Sequence, residues 1–124
     1  MGIDRKASFL AAGLLLALPE MAAAQEAADY FKQNCMSCHT IGGGKLVGPD
    51  LKDVTQRRDR AWLVMFVSDP KAMMDAGDAQ AQQLLQEARG VLMPTLPGMS
   101  AARAESLIRL IEEESKLPKS QFMA

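Results

Sequence analysis

The chain has 124 residues, with 14 Lys and Arg against 15 Asp and Glu for a formal net charge of −1, which excludes the strongly basic profile of a nucleic-acid binder. Hydrophobic residues make up 48% of it but aromatics only 5%; no apolar run approaches the roughly 20 residues of a membrane-spanning helix, and two cysteines cannot build a multi-bridge disulfide scaffold. The composition implies one small water-soluble domain whose two cysteines stand beside its only histidine.

Arg5 and Lys6 precede Ala7–Pro19, a mostly apolar stretch of 13 residues in which Ser8 is the only polar side chain. Ala22-Ala23-Ala24 then supplies a small-residue site of the A-x-A kind. This is the pattern of a Sec-type signal peptide over residues 1–24, cleaved before Gln25. The competing reading is an uncleaved anchor, for which the apolar stretch is short. No cysteine lies at the cleavage site, so a lipoprotein is excluded. Removing 24 of 124 residues leaves a mature chain of 100, exported to the periplasm and without a membrane span.

Glu26 to Asn34 predicts a helix with Ala27 and Phe31 on its apolar face. Residues 40–57, with Gly42-Gly43-Gly44 and Gly48-Pro49, predict a loop. Asp59 is placed to cap a helix whose core face is Trp62, Met65 and Phe66, stopped by Asp69-Pro70; Met73-Met74 then falls in a polar linker. Asp78 is placed to cap a helix burying Ala81, Leu84, Leu85 and Ala88, with Gly90 as its stop. Ser100 opens a last helix with Ala104, Leu107, Ile108 and Ile111 on one face, and Lys116 to Ala124 reads as a frayed tail. There is no alternating strand pattern, so the class is all-α, about four helices joined by loops. Five mature aromatics make a thin core for such a domain, which usually needs an additional staple. A bound cofactor would supply one.

Cys35-Met36-Ser37-Cys38-His39 carries the chemistry. C-x-x-C-H is the attachment motif of c-type haem. The two thiols add to the two vinyl groups of one porphyrin edge, and the following imidazole is held beneath the iron. A thioredoxin-like dithiol would need a βαβ context, and half a zinc site would need further ligands. The chain offers neither, which leaves one covalently attached haem c, with its iron, per chain.

With these residues the chain resembles the monohaem class I c-type cytochromes over essentially all of residues 26–115. The resemblance rests on Phe31 in F-x-x-N-C, C-M-S-C-H at 35–39, G-P-D-L at 48–51 and Met93-Pro94 before the last helix. It implies the small cytochrome c fold, in which the first and last helices cross near the haem edge and a methionine closes the opposite face. One departure is visible. The family's last helix usually brings an aromatic to the crossing, where this chain has Leu110-Ile111.

The sixth iron ligand is expected from a methionine, because no second histidine exists. A soft, neutral thioether suits iron that shuttles between two oxidation states and raises its potential. Met65 reads as core filler, and Met73-Met74 lacks the further soft ligands a copper site would need. Met93 precedes a proline in a loop 54 residues after His39 and matches the family's Met-Pro; Met99 is the alternative. The resemblance further implies that the Pro49 carbonyl accepts the second ring N–H of His39, and Gly48 would let the backbone approach the porphyrin. The Trp62 indole N–H either reaches a haem propionate or simply packs in the core. Arg57, Arg58 and Arg60 either face a propionate or form a solvated surface.

With His39 and Met93 in both axial positions no coordination site is left for a substrate. No Ser/His/Asp set, carboxylate pair or phosphate loop is present, so no catalytic residue is expected. The predicted function is one-electron transfer in a periplasmic respiratory-type chain, by a monomer that docks transiently on a redox donor and an acceptor. Lys45 and Lys52 would orient a partner at the haem edge, and Glu112-Glu113-Glu114 forms an opposite, acidic pole. Two alternatives remain: a haem subunit of a larger oxidoreductase, and a gas-binding sensor or peroxidase-like enzyme in which methionine does not hold the iron.

Overall fold

The computed structural model describes residues 7–124, with side chains from Leu18 onward. The basic residues Arg5 and Lys6 of the expected signal peptide lie outside the described residues. Helix α1 runs from Ala7 to Asn34, with Pro19 inside it. It continues without a break through the expected cleavage site before Gln25 and includes the helix expected from Glu26. No helix among the described residues is long and apolar enough to cross a membrane.

The remaining helices are short and begin at chemical signals. After the loop comes α2, Val54–Arg57, a single turn inside the segment expected to be loop throughout. Helix α3, Arg60–Ser68, starts where the Asp59 carboxylate accepts the backbone N–H of Trp62 at 3.2 Å. Helix α4, Pro70–Asp75, occupies the segment expected to be a polar linker. Asp69 ends α3, yet its carboxylate also accepts the Ala72 N–H at 3.0 Å, and Pro70 takes the first helical position, where a missing N–H costs nothing. Asp78 caps α5, Ala79–Glu87, and Ser100 caps α6, Ala101–Lys116, each through a side-chain oxygen. No strand occurs among the described residues.

Helix α6 packs against both α1 and α3. Its buried face is Ala104, Leu107, Ile108 and Ile111, as the spacing predicts. With Phe31, Cys35, Ile41, Val54, Leu63 and Phe122 the last three of these form the main core. A second, smaller cluster holds Phe66, Met73 and Ala81, with Trp62, Met74, Leu84 and Met93 against it. Met65 does not join either. It is 59% exposed, because the buried stripe of α3 runs through Leu63 and Phe66 and turns Met65 away from it.

The C-terminal residues do not fray. Phe122 is fully buried, and its ring lies against Phe31 with centroids 4.9 Å apart. The aromatic that the last helix lacks thus arrives from the segment beyond it. Glu114, expected on an acidic pole, is buried instead. Its carboxylate accepts Ser120 Oγ at 2.8 Å, the Gln121 backbone N–H at 3.1 Å and the Gln121 side-chain amide at 3.0 Å, and so ties the tail to the end of α6. Glu112 is also engaged, sharing Arg60 with Glu105 at 3.0 and 2.7 Å. These pairs link the start of α3 to α6. They stand about one-third exposed, and exposed pairs are each worth under about 1 kcal/mol.

Candidate haem site

The end of α1 presents the motif. The Cys35 N–H donates to the Phe31 carbonyl and the His39 N–H to the Cys35 carbonyl, both at 2.9 Å, so helical turns carry the chain from the first thiol to the imidazole. Both cysteines are free thiols, Cys35 buried and Cys38 half-buried. Burial, with the neighbouring Cys38 adding to it, pushes the Cys35 thiol up to about 12.

His39 Nδ1 lies 2.8 Å from the Pro49 carbonyl oxygen. That oxygen only accepts, so Nδ1 carries the proton and Nε2 keeps a free lone pair. Burial pushes the imidazole below its ordinary 6.5, against the opposing effect of the Pro49 bond, which keeps the ring neutral and able to ligate near pH 7. Gly48 is buried directly beside the ring. A Cβ there would stand 2.8 Å from Nδ1, 2.9 Å from Nε2 and closer still to Cε1. The glycine makes room for the imidazole itself, where the sequence pointed to room for the porphyrin.

The loop that holds Pro49 is fixed from below by Asp50. Its carboxylate accepts the N–H groups of Gly42 at 2.8 Å and of Gly44 and Lys52 at 2.9 Å. Burial raises its pKa, but these three bonds and the Arg57 charge outweigh it and hold the carboxyl below its ordinary 3.8. Arg57 also donates to the backbone carbonyls of Asp50, at 2.9 Å, and Lys52. Sequence reading left Asp50 without a role; an aspartate just beyond a glycine run, free to accept its N–H groups, is the signal that was there.

The remaining candidates are placed as follows. Trp62 donates its indole N–H to Asp78 at 3.1 Å, stacks on Phe66 with centroids 5.0 Å apart and lies under the Arg58 guanidinium at 5.2 Å. Arg58 donates to Gln80 at 2.7 Å. The three arginines and Trp62 thus donate to the protein's own groups, and Trp62 packs against both core clusters. Met93 and Met99 are both half-buried but lie in different clusters: Met99 packs on the α1–α6 core, Met93 on the smaller group around Phe66. Lys45 donates to the Glu87 carbonyl at 3.1 Å across a cavity of about 450 Å³ lined by Leu46, Val47, Ala88, Arg89 and Val91. This cavity opens between the loop that follows His39 and the segment that leads to Met93.

The donor set fits a haem. Two thiols three residues apart, an imidazole with a single free nitrogen and a glycine that opens space beside it are the elements such a group needs. No cluster of three or more His, Cys, Asp or Glu able to hold a metal ion occurs among the described residues.

The family model for cytochrome c matches residues 24–113, and the chain belongs to the cytochrome c family, as a class I c-type cytochrome. Its cofactor is covalently bound haem c with iron, and its two cysteines fit the CxxCH type of attachment. Among solved structures it is similar to a cytochrome c from Rhodothermus marinus, at 26% identity and a TM-score of 0.67, covering 77% of this chain and 79% of that one. The cytochrome c domain of a Pseudomonas putida protein is 32% identical with a TM-score of 0.63, over 72% and 87% of the two chains. An engineered Rhodothermus marinus cytochrome c bound to a carbene intermediate is 29% identical with a TM-score of 0.60, over 75% and 80%. No curated protein matches. The family's chemistry is haem-based electron transfer.

Proposed function

We propose that this chain is an exported one-electron carrier whose haem iron is held by His39 and Met93, serving a periplasmic respiratory-type chain through short-lived contacts with a donor and an acceptor. The observation that carries the reading is the imidazole of His39, fixed through Nδ1 on the Pro49 carbonyl with Nε2 left free, one residue after Cys38. When bound, the haem supplies iron that cycles between ferrous and ferric states. Cys35 and Cys38 would anchor it, Pro49 and Gly48 orient the imidazole that would ligate the iron, and Met93 would supply the second protein ligand, leaving no need for a catalytic residue. Met93 is preferred over Met99 because it directly precedes Pro94, matching the Met-Pro that the resemblance to the family implies. Export rests on the signal pattern of residues 1–24, and mass spectrometry of the mature protein is expected to show haem on a chain beginning at Gln25.

The test is the pair Met93→Ala and Met99→Ala. Loss of the thioether is expected to abolish the methionine-to-iron charge-transfer band, lower the potential and let carbon monoxide bind, because the thioether favours ferrous over ferric iron. Met99→Ala is expected to leave all three near wild type. The reverse result moves the ligand to Met99. If neither substitution changes the spectrum, methionine does not hold the iron and the electron-carrier reading loses its support. The Pseudomonas relative is a domain of a protein, which favours a second reading as the haem subunit of a larger oxidoreductase. Gel filtration of native extract separates the two.

A further inference from the structure

The segment from Val91 to Met99, which carries Met93, has little structure of its own. It contains no helix, Pro94 and Pro97 have no N–H to donate, and its one internal backbone hydrogen bond joins the Met99 N–H to the Leu96 carbonyl at 3.2 Å. A loop so poorly tied opens readily unless something outside it holds it. Two side chains do. Tyr30 on α1 donates its hydroxyl to the Pro97 carbonyl at 2.7 Å. Arg103 on α6 donates to the very next carbonyl, that of Gly98, also at 2.7 Å.

The two ties are coupled. The Arg103 guanidinium lies over the Tyr30 ring, 4.7 Å from its centroid, and its other arm reaches Glu26 Oε1 at 3.0 Å. Gly98 has a φ of 63°, and a Cβ there would stand 2.7 Å from Arg103 Nη1, so glycine is what permits the approach. Both anchors stand on α1 and α6, which pack against each other through the main core. The knot therefore fastens the loop to two helices packed on each other, four and five residues beyond Met93.

We propose that Tyr30, together with Arg103, is a positioning residue for the axial methionine: the pair ties the Met93 loop to the α1–α6 crossing and sets how readily the thioether leaves the iron. The inference rests on Met93 being the ligand. A thioether is a weak ligand, and keeping it in place through both oxidation states requires a loop that does not open on its own.

The experiment compares the haem-loaded wild type with Tyr30→Phe, Arg103→Gln, Met93→Ala and Phe122→Leu. The rate of carbon monoxide binding to the ferrous protein reports departure of the methionine, and amide hydrogen exchange at residues 95–99 reports opening of the loop. Tyr30→Phe is expected to keep the charge-transfer band at neutral pH but to speed both processes roughly fivefold, the population change that one ordinary hydrogen bond supports. Arg103→Gln is expected to act in the same direction. Phe122→Leu is expected to lower the unfolding midpoint while leaving both rates unchanged. If Tyr30→Phe and Arg103→Gln leave both rates at wild-type values while Met93→Ala binds carbon monoxide, the proposal is overturned and the ligand reading stands. It is also overturned if Phe122→Leu speeds the rates as much for an equal loss of stability. An unchanged band in Met93→Ala overturns the ligand reading and takes the proposal with it.

Discussion

The rings of Phe31 and Phe122 meet at 4.9 Å with their planes 60° apart, so a residue near the chain's end completes the packing of its first helix. The Phe122 carbonyl also accepts the Ile41 N–H at 2.8 Å, two residues beyond His39. Phe122 is thus shared between the helix crossing and the loop that follows the imidazole.

Phe122→Ala is expected to cost about 3–5 kcal/mol, the usual range for emptying a fully buried phenylalanine site. Denaturant unfolding of the haem-loaded protein measures it. Deleting residues 120–124 is expected to cost at least as much, because it also strips the buried Glu114 carboxylate of Ser120 and Gln121. A loss below about 1 kcal/mol would show that the tail is not seated in solution.

Gly48→Ala adds one methyl group against the His39 ring. The neighbours are an imidazole and its own backbone tether, neither of which yields without breaking the 2.8 Å contact to Pro49. Overpacking of this kind costs about 1–3 kcal/mol. The expected result is a lower yield of haem-loaded protein with a perturbed histidine signature in its NMR spectrum. A wild-type yield and spectrum would place the glycine outside the site.

Replacing either Cys35 or Cys38 by alanine is expected to leave at most one thioether, and replacing both to abolish export of a stable haem protein. Intact mass of the purified variants reads the result. A wild-type chain that emerges without haem from a host competent for haem attachment would count against the attachment itself.

Asp50 makes an acid-side prediction. Its pKa lies below 3.8 in the fold, so its charged form stabilises the native state at every pH above that value, and the contribution fades as the pH falls through the lower, folded pKa. Asp50→Asn is expected to be less stable than wild type near neutrality by an amount that is constant down to about pH 4–5 and then shrinks. Unfolding midpoints measured from pH 7 downwards check this. A gap that widens on acidification would reverse the sign and refute the assignment.

The attachment motif and three helix starts were legible because each is a local chemical signal: two thiols and an imidazole at fixed spacing, and an Asp59, Asp78 or Ser100 oxygen three residues before a backbone N–H. Asp69-Pro70 misled because the same dipeptide ends one helix and starts the next. Met65 misled by one position of helical phase. What stayed hidden depends on contacts between residues far apart in the chain: Arg60 reaching Glu105 and Glu112, Tyr30 reaching Pro97, and Phe122 reaching Phe31. The tail has no periodicity to read, and a lone phenylalanine in it carries no signal until its partner is known.

The segment beyond α6 also bears on the attachment residues. A Cβ on Gly43 would meet the Met123 backbone, with its carbonyl carbon at 2.6 Å and Cα at 3.0 Å, so the last residues lie flat across the glycine turn. Cys35 shares its core cluster with Phe122 and is only 8% exposed once that cluster has formed. A thiol so enclosed is a poor nucleophile. Phe122 thus guards the first attachment thiol as well as the helix crossing, and a change that unseats it loosens the cluster that encloses Cys35.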